Sequence, residues 1–262
     1  MMAETIAQAS GTTRLTGLAL ALSIGGLVLA LAGGLGNGAG SWGFKVALLM
    51  LVIGFLMAIG GGLAAIVAFV LGRRRGVANG RATLVALAVS IVFCGFVGSQ
   101  IATAMGVPMI HDVTTDLADV PQFTTLTVRA DNLADLPDGG DPALAAMDPM
   151  ARWQAIHRKG YPDLQPVHLA LDTAQAMKRA TALVQKRGWT IAKVDAAGGK
   201  IEATATSLFF RFKDDIVIRV RPDLSPAGGA TVDMRSISRV GESDIGVNAR
   251  RIRDFMRDLQ QA

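Results

Sequence analysis

The chain has 262 residues, 51% of them hydrophobic, with a mean hydropathy of +0.40 and a net charge of +5. That is too apolar for a water-soluble protein of this size, and the excess is local: residues 15–105 hold almost no charge, whereas 107–262 resemble an ordinary globular domain. The charge excludes a nucleic-acid surface, because residues 107–262 balance 20 Lys+Arg against 20 Asp+Glu and the whole +5 belongs to residues 1–106.

Residues 1–14 read as a short cytoplasmic N-terminus. Residues 15–106 read as a three-helix transmembrane region with spans at 15–35, 44–71 and 82–105. The first, Leu15–Leu35, is 21 uncharged residues, enough at about 1.5 Å per residue to cross a hydrocarbon core of about 30 Å. Ala30-Leu31-Ala32 offers the alternative of a cleaved signal peptide, but the weakly charged leader and the long apolar run favour an intact helix. A glycine loop, Gly36–Trp42, follows, with Trp42 expected at the membrane interface. It imitates a dinucleotide-binding fingerprint but joins two membrane helices, not a strand and a helix.

In the second span Lys45 can snorkel to the interface. Small residues at four-residue spacing, Gly26/Ala30/Gly34 and Gly54/Ala58/Gly62, predict close helix packing within the unit, or a membrane partner protein as the alternative. Arg73, Arg74, Arg75 and Arg81 between the second and third spans should stay cytoplasmic, and Arg14 agrees. Three crossings then put the C-terminal domain outside the cytoplasm, in the periplasm if the membrane is a bacterial inner membrane. The only cysteine, Cys94, lies in the third span, so the soluble domain can hold no internal disulfide.

Residues 107–262 form the predicted soluble domain. Seven prolines between Pro108 and Pro166 predict extended segments and turns, with a short helix near Ala151–Arg158. Asp172-Thr173-Ala174-Gln175 has the form of a capping box, and the helix it starts should end at Gly188. Trp189–Asp195 and Lys200–Thr206 read as strands joined by a Gly198-Gly199 hairpin. Asp215–Arg221 and Ala230–Ile237 are two more strands, and Ile245, Ala249, Ile252, Met256 and Leu259 mark a final helix. The fold class is therefore membrane-anchored α+β, with an antiparallel sheet packed by two helices. Alternation puts Glu202, Thr204, Arg219, Asp233 and Arg235 on one sheet face, either solvated with cross-strand ion pairs or turned to a ligand.

Ile201–Thr206 (IEATAT), Phe212–Arg219 (FKDDIVIR) and the long block Val232–Ile252 resemble the domain of unknown function 1499 family. Ile110–Asp116, Tyr161-Pro162-Asp163 and Gly188-Trp189 fit the same family in order, so the resemblance spans roughly residues 107–260 and leaves the membrane helices outside. It implies a bacterial or photosynthetic-eukaryote module often carried behind membrane helices, and it brings no catalytic residues.

The block Arg235–Arg251 gathers arginines and a helix start, which would suit a phosphate or lipid headgroup, against the plainer reading of a capped helix with paired arginines. Candidate binding residues are Glu202, Arg219, Asp233, Arg235, Ser238, Arg239, Asp244, Asn248 and Arg251. Arg235 is expected against Asp233, Glu202 or Asp244, and Arg239 has no evident partner in sequence. His111-Asp112 with Asp116, and His157 or His168, fall short of a metal pattern, so no metal or cofactor is expected. Ser236 and Ser238 lack a nucleophile-elbow motif. Leu208–Lys213 is an apolar, basic link expected to plug the core, with a dip into the bilayer interface as the alternative. The expected function is a non-enzymatic envelope module binding a partner protein or an anionic amphiphile; the alternative is a hydrolase-like envelope enzyme using the Asp/Arg/Ser cluster.

Overall fold

A computed structural model describes residues 2–77, 79–208, 210–225 and 228–261. It divides into two compact units. One runs to Ala102 and takes in Leu208 and 210–211; the other comprises Thr103–Ser207 and the chain from Phe212.

The first unit is built from α1 (Met2–Gly38), α2 (Phe44–Arg75) and α3 (Gly80–Met105). Ser10–Gly38, Phe44–Arg75 and Gly80–Met105 are each long and apolar enough to cross a membrane. The helices outrun the expected spans because backbone hydrogen bonding continues into polar flanks where hydropathy has already fallen. Gly36–Gly38 are thus helical, and the α1–α2 loop is shorter than expected. Trp42 packs back on α1: its Nε1 donates to the Gly33 carbonyl at 3.0 Å, and its ring lies where a Gly36 side chain would be.

The small-residue faces of α1 and α2 meet each other. A Cβ added at Gly26 would strike the Gly54 carbonyl, and one at Gly54 would strike that of Gly26. Ser90 Oγ donates to the Ala58 carbonyl at 2.7 Å and lies 2.9 Å from Ser23 Oγ, so one polar node ties all three helices. Leu18, Val28, Leu56, Leu63 and Val92 point outward, as lipid-facing side chains do.

The second unit is the α+β domain. Its sheet runs β1 (Asp112–Thr114), β6 (Ala230–Ser238), β5 (Lys213–Pro222), β4 (Lys200–Thr206) and β3 (Thr190–Asp195), with β2 (Val167–Leu169) also paired to β6; every pairing is antiparallel. β1 and β2 were not foreseen, because three residues are too few to show alternation. They cover the outer edge of β6, which would otherwise present unpaired backbone groups.

Helices α6 (Thr173–Lys186) and α7 (Val247–Gln261) pack on one face of the sheet. Ile201, Ile216, Ile218, Val232 and Met234 meet Met177, Val184, Ile252, Phe255 and Leu259 there, all buried. Both halves of the expected capping box at Asp172 and Gln175 are made. The short α4 (Pro142–Ala145) precedes α5 (Pro149–Gly160), which starts two residues before the expected Ala151. The cause is local: Asp148 accepts the N–H groups of Met150 and Ala151, each at 3.0 Å, and Pro149 sits at the first helical position.

The link after β4 does not plug the core as expected. Leu208 is 92% exposed, and Leu208 and 210–211 group with the helical unit; Phe209 lies outside the described residues.

Candidate functional site

Register sets the outer sheet face. Glu202 lies opposite Val217, which lies opposite Arg235, while Arg219 lies opposite Asp233, so these side chains share the side away from α6 and α7. That face is not solvated. Residues between Asp116 and Leu126 run across it as a strap, which Glu202, Arg219, Arg221 and Arg235 each hold in part.

Glu202, 1% exposed, accepts from the backbone N–H groups of Thr124 (2.6 Å), Thr125 (2.9 Å) and Leu126 (2.7 Å), and from the Thr124 hydroxyl (2.6 Å). Burial alone would raise its pKa, but these donors together outweigh burial and lower it. Arg219 reaches Asp233 and Asp119, each at 2.9 Å, and Arg221 reaches Asp233 (2.8 Å), Asp119 (3.0 Å) and Asp116 (3.3 Å). Burial pushes the Asp233 carboxyl up, opposed by Arg219.

Arg235 has a different partner from those expected. Its Nε and Nη2 bind both oxygens of Asp112 at 2.9 and 2.7 Å, and Nη1 donates to the Pro121 carbonyl at 3.3 Å. Asp112 also accepts from Asn132 at 2.6 Å, and Asn132 Oδ1 lies 3.2 Å from His111 Nε2. Arg239 is paired too: Nε and Nη2 each meet an Asp215 oxygen at 2.8 Å, and that hydrogen-bonded contact raises the Arg239 pKa.

Ser238, Asn248 and Arg251 belong to the opposite face, at the start of α7. Asn248 Nδ2 donates to Ser238 Oγ and to the His111 carbonyl, each at 3.0 Å. Ser236 Oγ donates to Asn248 Oδ1 at 2.6 Å, and Arg251 binds Asp214 at 2.6 Å. Asp244 caps α7, accepting from Gly246 (2.8 Å) and Asn248 (2.6 Å); burial raises its pKa against those bonds. The expected binding residues thus fall into two groups separated by the sheet and do not form one site.

One cleft of about 200 Å³ opens beside the strap. Phe123, Val128 and Ile237 provide its apolar surface, and Arg129 and Arg239 its cations. Arg129 forks onto Asp131 at 2.6 Å and donates to the Gly241 carbonyl at 2.7 Å. That hydrogen-bonded pairing lowers the Asp131 pKa to about 2. Of the cleft residues only Ser238 and Arg239 were singled out in the sequence. Arg129 and Phe123 sit in the proline-rich stretch without periodicity. A usable signal was the Asp214-Asp215 doublet in an apolar strand, which sends one carboxylate to each face.

Among the described residues, no three His, Cys, Asp or Glu side chains are grouped to hold a metal ion. His111 Nδ1 lies 3.2 Å from the Glu242 carbonyl oxygen, and the Asp116 carboxylate binds Arg221.

The family model described as Protein of unknown function (DUF1499) matches residues 112–259. The chain belongs to the DUF1499 family. The DUF1499 match begins at β1, ends within α7, and includes every residue lining the cleft; α1–α3 lie outside it. No curated protein and no solved structure matches the chain.

Proposed function

We propose that this is a bacterial envelope protein whose DUF1499 domain faces the periplasm and binds an anionic amphiphile in the Arg129–Arg239 cleft, without catalysing a reaction. The observation that carries the reading is the cleft itself: two guanidinium groups beside an apolar surface formed by Phe123, Val128 and Ile237. Such a surface suits a ligand with a charged head and a greasy body. Asp131, the partner of Arg129, is 58% exposed, so Arg129 can exchange that ion pair for a ligand at little cost, and Arg239 is itself 42% exposed.

The hydrolase alternative would need Asp244, Arg235 and Ser238 to converge on a pocket. Arg235 is instead committed to Asp112 on one face of β6, and Ser238 to Asn248 on the other. That separation supports the binding reading.

In phosphatidylcholine nanodiscs, the full chain is expected to bind hexyl phosphate, read by isothermal titration. Arg129→Gln should weaken that binding at least tenfold, about 1.4 kcal/mol. Equal affinity in the variant would overturn the assignment of the cleft. The orientation has its own test. The Arg73–Arg75 cluster supports a cytoplasmic α2–α3 loop, so alkaline phosphatase fused after residue 262 should be active and a cytoplasmic fluorescent reporter dark. The reverse pattern would invert the topology.

A further inference from the structure

The facing ends of α2 and α3, with the short loop between them, concentrate positive charge in a stretch of sequence that holds almost no acid. Arg73, Arg74, Arg75 and Arg81 lie close together in sequence, and between Glu4 and Asp112 there is no acidic residue.

The same loop forms a cleft of about 430 Å³. Among the described residues, Arg73 and Arg81 bring charge to it, and Phe69, Val77 and Leu84 bring apolar surface. Arg74 and Arg75 do not line it. Arg75 instead donates to Thr12 Oγ1 at 3.2 Å.

The cleft is held open by the backbone. Gly76, in the left-handed region at φ 67°, ends α2 and donates to the Gly72 carbonyl. Gly72 has no side chain, and the Asn79 carboxamide takes that space. Asn79 Nδ2 donates to Ala68 O at 3.1 Å and to Thr16 Oγ1 at 2.9 Å, which ties the loop to two helices. The Arg73 guanidinium lies 5.2 Å from the Phe69 ring centre, which orients it beside the cleft.

We propose that this cleft binds the phosphate headgroup of an anionic phospholipid from the bilayer that the three helices cross. Arg73 and Arg81 hold the phosphate oxygens, and the positive end of α3 adds to their field. Leu84, 53% exposed, offers the cleft's apolar wall to an acyl chain. A free phosphate would use the arginines and leave that wall bare, which is why a lipid is the better fit. Basic pockets between membrane helices are a recurrent lipid-binding device. The site is independent of the cleft in the DUF1499 domain.

The test is native mass spectrometry of the full chain in nonionic detergent, with phosphatidylglycerol or phosphatidylcholine added. Phosphatidylglycerol should be retained at least tenfold more than phosphatidylcholine. Arg73→Gln and Arg81→Gln should each cut its retention several-fold, while Arg74→Gln, with the same change in charge, stays within twofold. Arg81→Lys should recover part of the loss. Circular dichroism checks that each variant stays helical; should Arg73→Gln unfold, the exposed Arg81 carries the comparison. Equal retention of the two lipids, or an equal loss in Arg74→Gln, would reduce the site to diffuse charge and overturn the proposal. Displacement of the lipid by millimolar inorganic phosphate would overturn it in favour of a free-phosphate site.

Discussion

Replacing Arg235 by alanine is expected to lower the stability of the sheet domain by about 3–5 kcal/mol. Arg235 is 6% exposed and its partner Asp112 1%. With the guanidinium gone, Asp112 keeps, among the described residues, only the Asn132 amide at 2.6 Å as a side-chain donor, so its carboxyl group is left without a cation and away from water. Urea unfolding of the full chain in mild nonionic detergent, followed by tryptophan fluorescence, measures the loss, since Trp153 is buried in this domain. A loss below about 1 kcal/mol would mean that water reaches Asp112. Replacing Arg235 and Asp112 together by leucines should recover much of the loss, because the cost lies in the orphaned charge. Arg239→Ala should cost less than Arg235→Ala: Arg239 is 42% exposed, and Asp215 keeps the Thr204 hydroxyl at 2.8 Å.

A second large effect is expected with acid. His157 is 1% exposed, and burial lowers its pKa from 6.5 to about 4, with Asp112 opposing the shift. Its Nε2 accepts the Thr114 N–H at 3.1 Å, which requires the neutral ring. The unfolded chain takes up this proton near pH 6.5 and the folded chain only near 4, so the unfolded state binds more protons between them. The contribution is complete above the unfolded value and is lost as pH falls towards 4, about 3 kcal/mol in all. Asp233 and Asp244, with raised pKa values, act in the opposite sense, because acid relieves their buried charge. Comparison with His157→Gln isolates the histidine: the variant's urea midpoint should fall much less between pH 7 and 4. Parallel slopes in the two proteins would remove His157 from the acid response.

The strands and helices that could be read from the sequence were those with enough residues to repeat. Glu202, Arg219, Asp233 and Arg235 could be put on one face because a strand's period is two, and the Gly198-Gly199 turn sets the register of β4. What covers that face could not be read. Part of the strap is held by Glu202 on backbone N–H groups and by arginines on carbonyls, which leave no side-chain pattern in it, and part by its own Asp116 and Asp119, whose partners Arg219 and Arg221 lie a hundred or more positions away in sequence. Its Thr124-Thr125-Leu126 segment offers Glu202 three amides that any residue but proline could supply. Arg239 lacked a visible partner because Asp215 lies on the neighbouring strand, and pairing between strands appears only once register is known.

The closing of the sheet edge by β1 bears on how the protein is made. Asp112 and Arg235 are 123 positions apart, yet they form the buried pair that joins the first strand to the last. Contacts of such long range are reached late and slow folding, because a long loop must close before they repay its entropy. The ribosome delivers β6 more than a hundred residues after β1 and the strap, which wait without their partner until it arrives. In that interval the half-made sheet is open to proteases and to association with other chains, and chaperone capacity during biogenesis bears directly on yield.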